Sequence, residues 1–451
     1  MLGIRGNTWH TLRTVAVAIL ATSAVLSSSI STRAEAVTAV ISASTSARAE
    51  AVSDWNAIAV QALATADPPR PGPIAFLDLA VVQVAVHDAV QAIDRRFQPY
   101  HVTIPGASGS SEAAAAKAAH DVLVNILPGQ AAALDMTYHD YFTAHGLAET
   151  DPGVRVGEVA AAGILALRAN DGRVPKTPPP PFNGGTAPGV WRPTPSLQPG
   201  PPPSGASMAT PWLATVPPFT LKRGDQYRAK APLRLSSARY AREYNEVKAL
   251  GARFNSTRTP EQTQLAYFYA GNNFILWNRV LRDNATAHTD TIGDRARLLA
   301  LGTLAMADAA ITAWDSKVHY VNWRPITAIR EGENDGNGRT VGDPNWEPLI
   351  NTPNYPDQTS GANNVVGAMT RMLQLYFHND EVTFTAYSQH PMANPNTRTY
   401  HRFSDLSWDT VNVRIYQGIH FRTADEQGRK QGRRVAQWVY QHFLQPINEG
   451  D

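Results

Sequence analysis

The sequence predicts an all-α protein made of two packed helix bundles, and three observations predict it. Apolar residues recur at spacings of three and four rather than in strand-like alternation, as Leu79, Val82, Val86, Val90 and Ile93 do. No segment supplies a convincing set of paired strands. A proline-rich stretch divides the periodic sequence into two parts, each long enough to bury its own helical core. With 451 residues, 43% of them hydrophobic and 17% charged, the chain has the composition of a globular protein.

Residues 1–36 read as an export signal. Arg5 and Arg13 precede an apolar run from Thr14 to Leu26, too short to span a membrane comfortably, and Ala34-Glu35-Ala36 resembles a cleavage site. The protein is therefore expected to be secreted or periplasmic, with no stable membrane insertion. Residues 37–53 read as a linker, carrying a near-repeat of Ala34-Glu35-Ala36-Val37 at Ala49-Glu50-Ala51-Val52.

Residues 54–174 form the N-terminal helical half. Ser110-Ser111 precede an alanine-rich helix that stops before Pro128, and Asp151-Pro152 opens another that stops at Asn170-Asp171-Gly172. Residues 175–223 are the crossover. Fifteen of the 33 prolines fall between 175 and 218, which predicts an extended surface segment because proline cannot donate to a helix or sheet ladder. Trp191, Trp212 and Phe219 are its expected anchors.

Residues 224–451 form the C-terminal half. Helices are expected over 236–255, 260–282, 289–317 with a continuation to Trp323, 361–377 and 424–444. Thr259-Pro260-Glu261 has the form of an N-cap followed by proline at the first helical position.

The chain has no cysteine, which excludes a disulfide framework, cysteine-ligated metals and a cysteine nucleophile. Without residues 1–36, basic and acidic side chains are equal in number, so electrostatics gives no case for nucleic acid as a partner. No phosphate-binding Gly-rich loop, H-E-x-x-H motif or serine-nucleophile elbow occurs. Asn334-Asp335-Gly336-Asn337-Gly338 has the flavour of a calcium loop but lacks the bidentate glutamate, and reads as a solvated turn. His87-Asp88 reads as a polar pair on a packing helix.

Three patches in the C-terminal half could carry chemistry. Lys317 and Arg324 are two helical turns apart and project from one face; Pro325 then ends the helix. Two cations on one face repel unless an anion lies between them. Ser360-Gly361 opens an apolar periodic run, where a hydroxyl and free backbone N–H groups make an anion cradle. Arg414 and His420 do not share a face of a regular helix, but a break near Gly418 would let them converge. Taken singly, each patch also has a plain structural reading: a solvated basic face, a helix cap, a core histidine.

Together, in this order and spacing, the patches resemble the signature of the vanadium-dependent haloperoxidases and of the related type-2 phosphatidic-acid phosphatase superfamily: K-x6-R-P, then P-S-G-H, then S-R-x5-H. Lys317-x6-Arg324-Pro325, Ser360-Gly361 and Arg414-x5-His420 are the matching residues, and Arg-Ile-Tyr-x-Gly-Ile-His is worded like the haloperoxidase branch. The resemblance implies a haloperoxidase-like fold and a buried site that holds vanadate, with phosphate able to occupy the same place. It assigns oxyanion binding to Lys317, Arg324, Ser360, Gly361 and Arg414, makes His420 the ligand of vanadium, and gives Lys317 a second, catalytic role on bound peroxide. Trp314 and Tyr355 correspond to aromatics that line the family's halide pocket. The implied partners are hydrogen peroxide, a halide and a small organic acceptor. The alternatives are a phosphate ester cleaved through a phosphohistidine at His420, and a non-catalytic oxyanion-binding protein. A homo-oligomer is compatible with the sequence.

Two positions depart from the signature. Ala362 stands where the family has an acid–base histidine, which leaves His319, His401 and Asp357 as substitutes by sequence nearness alone. Val413 stands where a serine precedes the last arginine.

Overall fold

The computed structural model describes residues 50–177 and 179–447. The expected export signal and most of the expected linker lie outside the described residues. Helix α1 covers 50–64, so regular structure starts ahead of the expected Asp54; Ala51, Val52 and Trp55 are all buried on it.

The N-terminal bundle packs α2 (Gly72–Asp94), α3 (Ser111–Ile126) and α5 (Pro152–Arg168) against one another, with α4 (Ala131–Ala144) on its flank. Local chemistry sets the ends. Ser110 accepts from the Ala113 N–H and Asp151 from the Gly153 N–H, each an N-cap that satisfies a donor with no intrahelical partner. Helix α2 is buried along most of its length, and it is the surface on which the second half of the chain rests.

The C-terminal half contains α6 (Ala238–Leu250), α7 (Pro260–Phe268), α8 (Asn273–His288), α9 (Ile292–Tyr320), α10 (Pro325–Arg330), α11 (Gly361–Phe377), α12 (Phe403–Tyr416) and α13 (Arg422–His442). Helices α9, α11 and α13 pack mutually, and α9 also lies along α2, which joins the bundles through one continuous core. A smaller core holds Tyr244, Trp323 and Ile326 between α6 and α10. Among the described residues, two helices, α2 and α9, are long and apolar enough to cross a membrane, and both are buried within the bundles.

Four features differ from the sequence expectations. The run expected over 260–282 is two helices, because Gly271-Asn272 interrupts it and the Asn272 side chain caps α8 at the Phe274 N–H. Helix α12 was not expected; its buried face carries Ser407, Thr410 and Arg414, which blur the apolar period. A short antiparallel hairpin, β1 (Phe384–Tyr387) with β2 (Thr397–Tyr400), pairs Phe384 with Tyr400. Helix α9 ends at Tyr320, with Val321 left-handed, so Lys317 and Arg324 do not share one helix face and Pro325 opens α10 instead of ending a helix. The crossover is anchored as expected. Trp191 is fully buried and its N–H donates to Val321 O, while a 3-10 turn over Pro211–Thr215 buries Leu213.

Buried carboxylates hold the long connections. Asp88 on α2 accepts the backbone N–H groups of Tyr100, His101 and Val102, and Asp308 on α9 accepts those of Phe219, Thr220 and Leu221. Each fixes a loop to a core helix by charge-assisted bonds, which are roughly twice as strong as neutral ones. His87 serves the same purpose, with Nε2 3.1 Å from Gln98 O.

Candidate active site

Four elements converge on one buried cluster. Lys317 comes from the last turn of α9, Arg324 from the N-cap of α10, Ser360 and Gly361 from the start of α11, and Arg414 and His420 flank the end of α12. Lys317, Arg324, Ser360 and His420 are fully buried and Arg414 is 5% exposed.

The turn after α12 brings Arg414 and His420 together. Gly418 has a φ of +79°, a left-handed conformation that favours glycine, and a Cβ there would lie 2.5 Å from Gly251 O. The helix therefore breaks where the two side chains need it to. Gly361 is constrained by close approach instead, since a Cβ would stand 3.1 Å from the Trp314 ring.

Arg324 is the most heavily bonded cation. Its Nε donates to Tyr355 O at 2.7 Å and its Nη1 to Ile419 O at 2.6 Å, and Nη1 also lies 3.0 Å from His420 Nε2. Lys317 Nζ donates to Pro356 O at 2.6 Å and sits 4.7 Å from the Tyr355 ring centre. Arg414 Nη1 donates to Gln417 Oε1 at 2.8 Å, and Gln417 in turn donates to Ala266 O. Two buried guanidinium nitrogens, Arg324 Nη2 and Arg414 Nε, have no acceptor.

Sequence reasoning missed part of this cluster. Asp357 Oδ1 lies 2.7 Å from His420 Nδ1, so Asp357 is a direct partner of the histidine; it had been weighed only for its nearness in sequence. Asp425, in the first turn of α13, accepts from Asn363 Nδ2, which also reaches Ser360 Oγ. No motif marks Asp425, Asn363 or Gln417, and only the folded arrangement reveals them. His319 and His401 are exposed, with ring or hydroxyl contacts at Tyr320 and Thr383, and take no part in the cluster.

The electrostatics follow from burial. Burial, then the neighbouring Arg324, holds the Lys317 ammonium well below its ordinary pKa. Burial, then Arg324, Lys317 and Arg414, holds His420 well below the usual imidazole range, so its ring is neutral and able to act as a ligand or nucleophile. Burial pushes Asp357 up to about 7, against the pull of Arg324 and Lys317. Asp425 is pushed well above the carboxylate range by burial and then by Asp357. Three cations thus face two carboxyl groups that resist ionising. A compact anion relieves that imbalance, and the two guanidinium nitrogens without acceptors are donors ready for it.

Beside the cluster is a cavity of about 160 Å³. Trp314 and Tyr355, with ring centres 5.1 Å apart, stand on one wall; Gly361, Ala362 and Arg414 also line it. Position 362 therefore faces the space next to the cradle.

The comparisons with known proteins point the same way. The sequence model of the VCPO second helical-bundle domain matches residues 297–449, the stretch that supplies every residue of the cluster. Residues 297–449 thus resemble the second helical-bundle domain of that family. It is similar to the vanadium chloroperoxidase of Curvularia inaequalis, 29% identical over 190 residues that cover 35% of this chain and 30% of that protein. The matched stretch thus spans less than a third of that relative.

The fold is shared more widely. A structure described as the first bacterial vanadium-dependent iodoperoxidase superposes with a TM-score of 0.71 at 23% identity, covering 87% of this chain and 96% of that one. A holo-type bacterial vanadium-dependent chloroperoxidase gives 0.67 at 20% identity, covering 84% and 93%.

Proposed function

We propose that the protein is an exported, vanadate-dependent haloperoxidase that oxidises a halide with hydrogen peroxide. The observation that carries this reading is the buried convergence of Lys317, Arg324, Arg414 and His420, with donors left over on two guanidinium groups. The donor set fits vanadate. Arg324 and Arg414 would hold its oxygens with their N–H groups, together with the N–H groups of Gly361 and Ala362 at the start of α11, and neutral His420 would offer a ring nitrogen. Bound vanadate supplies Lewis-acid activation of peroxide without a change of metal oxidation state.

The protein's own residues do the rest. Asp357 takes the Nδ1–H of His420 and orients its ring. Lys317 stabilises the negative charge that develops as the peroxide bond breaks, an effect strengthened by the exclusion of water. Trp314 and Tyr355 flank the space where the halide enters. The balanced reaction takes hydrogen peroxide, halide and a proton to hypohalous acid and water. The halide is oxidised and the peroxide oxygen reduced.

Ala362 favours a second reading, a binding protein or phosphomonoesterase that uses the same cradle, because positioned proton transfer is worth roughly 10²- to 10⁴-fold and no histidine supplies it here. The test compares bromination of a phenol reporter, with vanadate, bromide and peroxide, against phosphate release from an aryl phosphate. The haloperoxidase reading predicts vanadate-dependent bromination. Phosphate release without bromination would replace it with the phosphatase reading, and tight vanadate binding without either reaction would replace it with the binding protein.

A further inference from the structure

Away from the cradle, three arginines gather where α11, α12 and α13 meet. Helices α11 and α13 cross closely, since a Cβ at Gly367 would lie 2.6 Å from Arg429 O. The crossing carries Arg371, one turn beyond Gly367, up to Arg433. Arg371 Nη1 and Arg433 Nη1 donate to the same amide oxygen, Gln374 Oε1, at 3.4 and 3.0 Å. Arg429, four residues before Arg433, shares its face of α13. The Arg429 Nε donates to Ser407 Oγ at 2.8 Å, and its guanidinium lies 4.1 Å from the centre of the Trp408 ring. All three arginines are half-buried.

Among the described residues, none of the three is paired with a carboxylate. Their acceptors are neutral: Gln374, Gln437 and Ser407. Arg422, at the start of the same helix, is by contrast bonded to both oxygens of Glu246. Asp380 attracts Arg429 and Arg433 without bonding to either; it accepts from Gln374 Nε2 and from the N–H and hydroxyl of Ser404. Burial, then Arg433, lowers Arg429 to about 10, and burial, then Arg371, lowers Arg433. Both terminal nitrogens of Arg429, and Nη2 of Arg433, are left without an acceptor among the described residues.

We propose that Arg371, Arg429 and Arg433 form a second anion site, which takes a tetrahedral dianion, a phosphate or sulfate group. Charge selects a dianion. Three cations beside the one carboxylate of Asp380 leave two positive charges, and those charges repel until an anion cancels them. Shape selects a tetrahedral group. Guanidinium heads from two helices need more acceptor oxygens than a carboxylate has, and each planar head suits a phosphate or sulfate edge. Because the arginines are only half-buried, the group can be a free ion or an ester. None of the cradle residues takes part, so the assignment stands independently of the oxyanion reading above. A bound dianion ties α11 to α13, which stabilises the folded chain by linkage.

The experiment is calorimetric titration of inorganic phosphate into the full-length protein and into Arg429→Gln and Arg433→Gln, at constant ionic strength, with melting temperatures measured beside it. The cradle is common to all three proteins, so the difference between them isolates the second site. The expected result is a component of phosphate binding that each substitution weakens about tenfold or more. Sulfate should replace phosphate and acetate should not. Glycerol phosphate binding as tightly as phosphate assigns the site to an ester group, and weaker binding assigns it to the free ion. Phosphate should raise the melting temperature of the parent more than that of either variant, and without phosphate the variants should melt no lower than the parent, because each relieves repulsion. Should Arg433→Gln fail to fold, Arg429→Gln, which gives up one hydrogen bond to Ser407, carries the same test. A phosphate isotherm that neither substitution alters overturns the proposal. So does acetate binding equal to phosphate, or a variant that melts lower without phosphate while its phosphate response is intact, which would make the arginine a structural group.

Discussion

Asp357 Oδ1 and His420 Nδ1 stand 2.7 Å apart in the buried interior, on segments separated by 63 residues. The pair decides which ring nitrogen is available. A carboxyl group that accepts the Nδ1–H leaves the Nε2 lone pair free, which is the form a metal or phosphorus requires. Burial, and then Arg324 beside the same ring, disfavours its protonation.

Asp357→Asn should therefore disturb His420 more than the fold. An amide presents both an acceptor and a donor at this position, so the histidine's tautomer is no longer fixed. Nitrogen NMR of the His420 ring should show the neutral tautomers mixing, and vanadate affinity should fall roughly 10- to 100-fold, the usual scale for loss of a partner behind a ligand. A merely structural role for Asp357 would lower thermal stability without altering the ring nitrogen signals.

Ala362→His tests whether the missing histidine limits turnover. An imidazole there adds positioned proton transfer next to the cradle, and iodide oxidation in the absence of an organic acceptor should rise by at most about 10²-fold, since the new side chain lacks supporting partners. Unchanged or lower iodide oxidation means that the native protein has another proton donor. Asp425, a buried carboxyl group pushed well above the carboxylate range by burial and by Asp357, is then the first residue to replace.

The buried pair at His87 and Asp88 predicts opposite pH responses. Burial holds His87 at about 4, below the ordinary imidazole, so the unfolded chain binds more protons between there and about 6.5. Its contribution to stability is therefore lost as pH falls through that window. Burial pushes Asp88 up to about 6, despite three backbone N–H donors, so its contribution is lost as pH rises from about 3.9 to that value. Urea unfolding across pH 4 to 7 should show His87→Gln losing less stability on acidification than the parent, and Asp88→Asn losing more.

How much of this was legible in the sequence depended on what kind of signal each part left. The long helices α2, α9, α11 and α13 carry sustained periodicity, and Thr291 caps α9 by accepting the Asp294 N–H. Helix α12 was hidden because polar Ser407, Thr410 and Arg414 share its buried face with Phe403, Leu406 and Val411 and blur the apolar period. The hairpin is four residues per strand, too short for alternation to stand out. The cations of the cluster could be found because their order and spacing resemble a known signature; the helical reason for that spacing fails, since α9 ends at Tyr320 and Arg324 precedes a separate helix. Asp425, Asn363 and Gln417 left no such trace, because long-range packing alone brings them to the cradle. Phe76, which lines the cavity beside the cradle, was equally invisible: it lies in the other half of the chain and reads as core.

The central claim, that these residues form a vanadate site with His420 as its ligand, is tested most directly by titrating vanadate into the protein and into His420→Ala. The account predicts saturable binding at one site per chain, weakened by about 100-fold or more when the imidazole is removed, because a metal ligand is lost while Lys317, Arg324 and Arg414 still supply charge. Absence of vanadate binding by the parent protein, or an equal affinity in both, would contradict it.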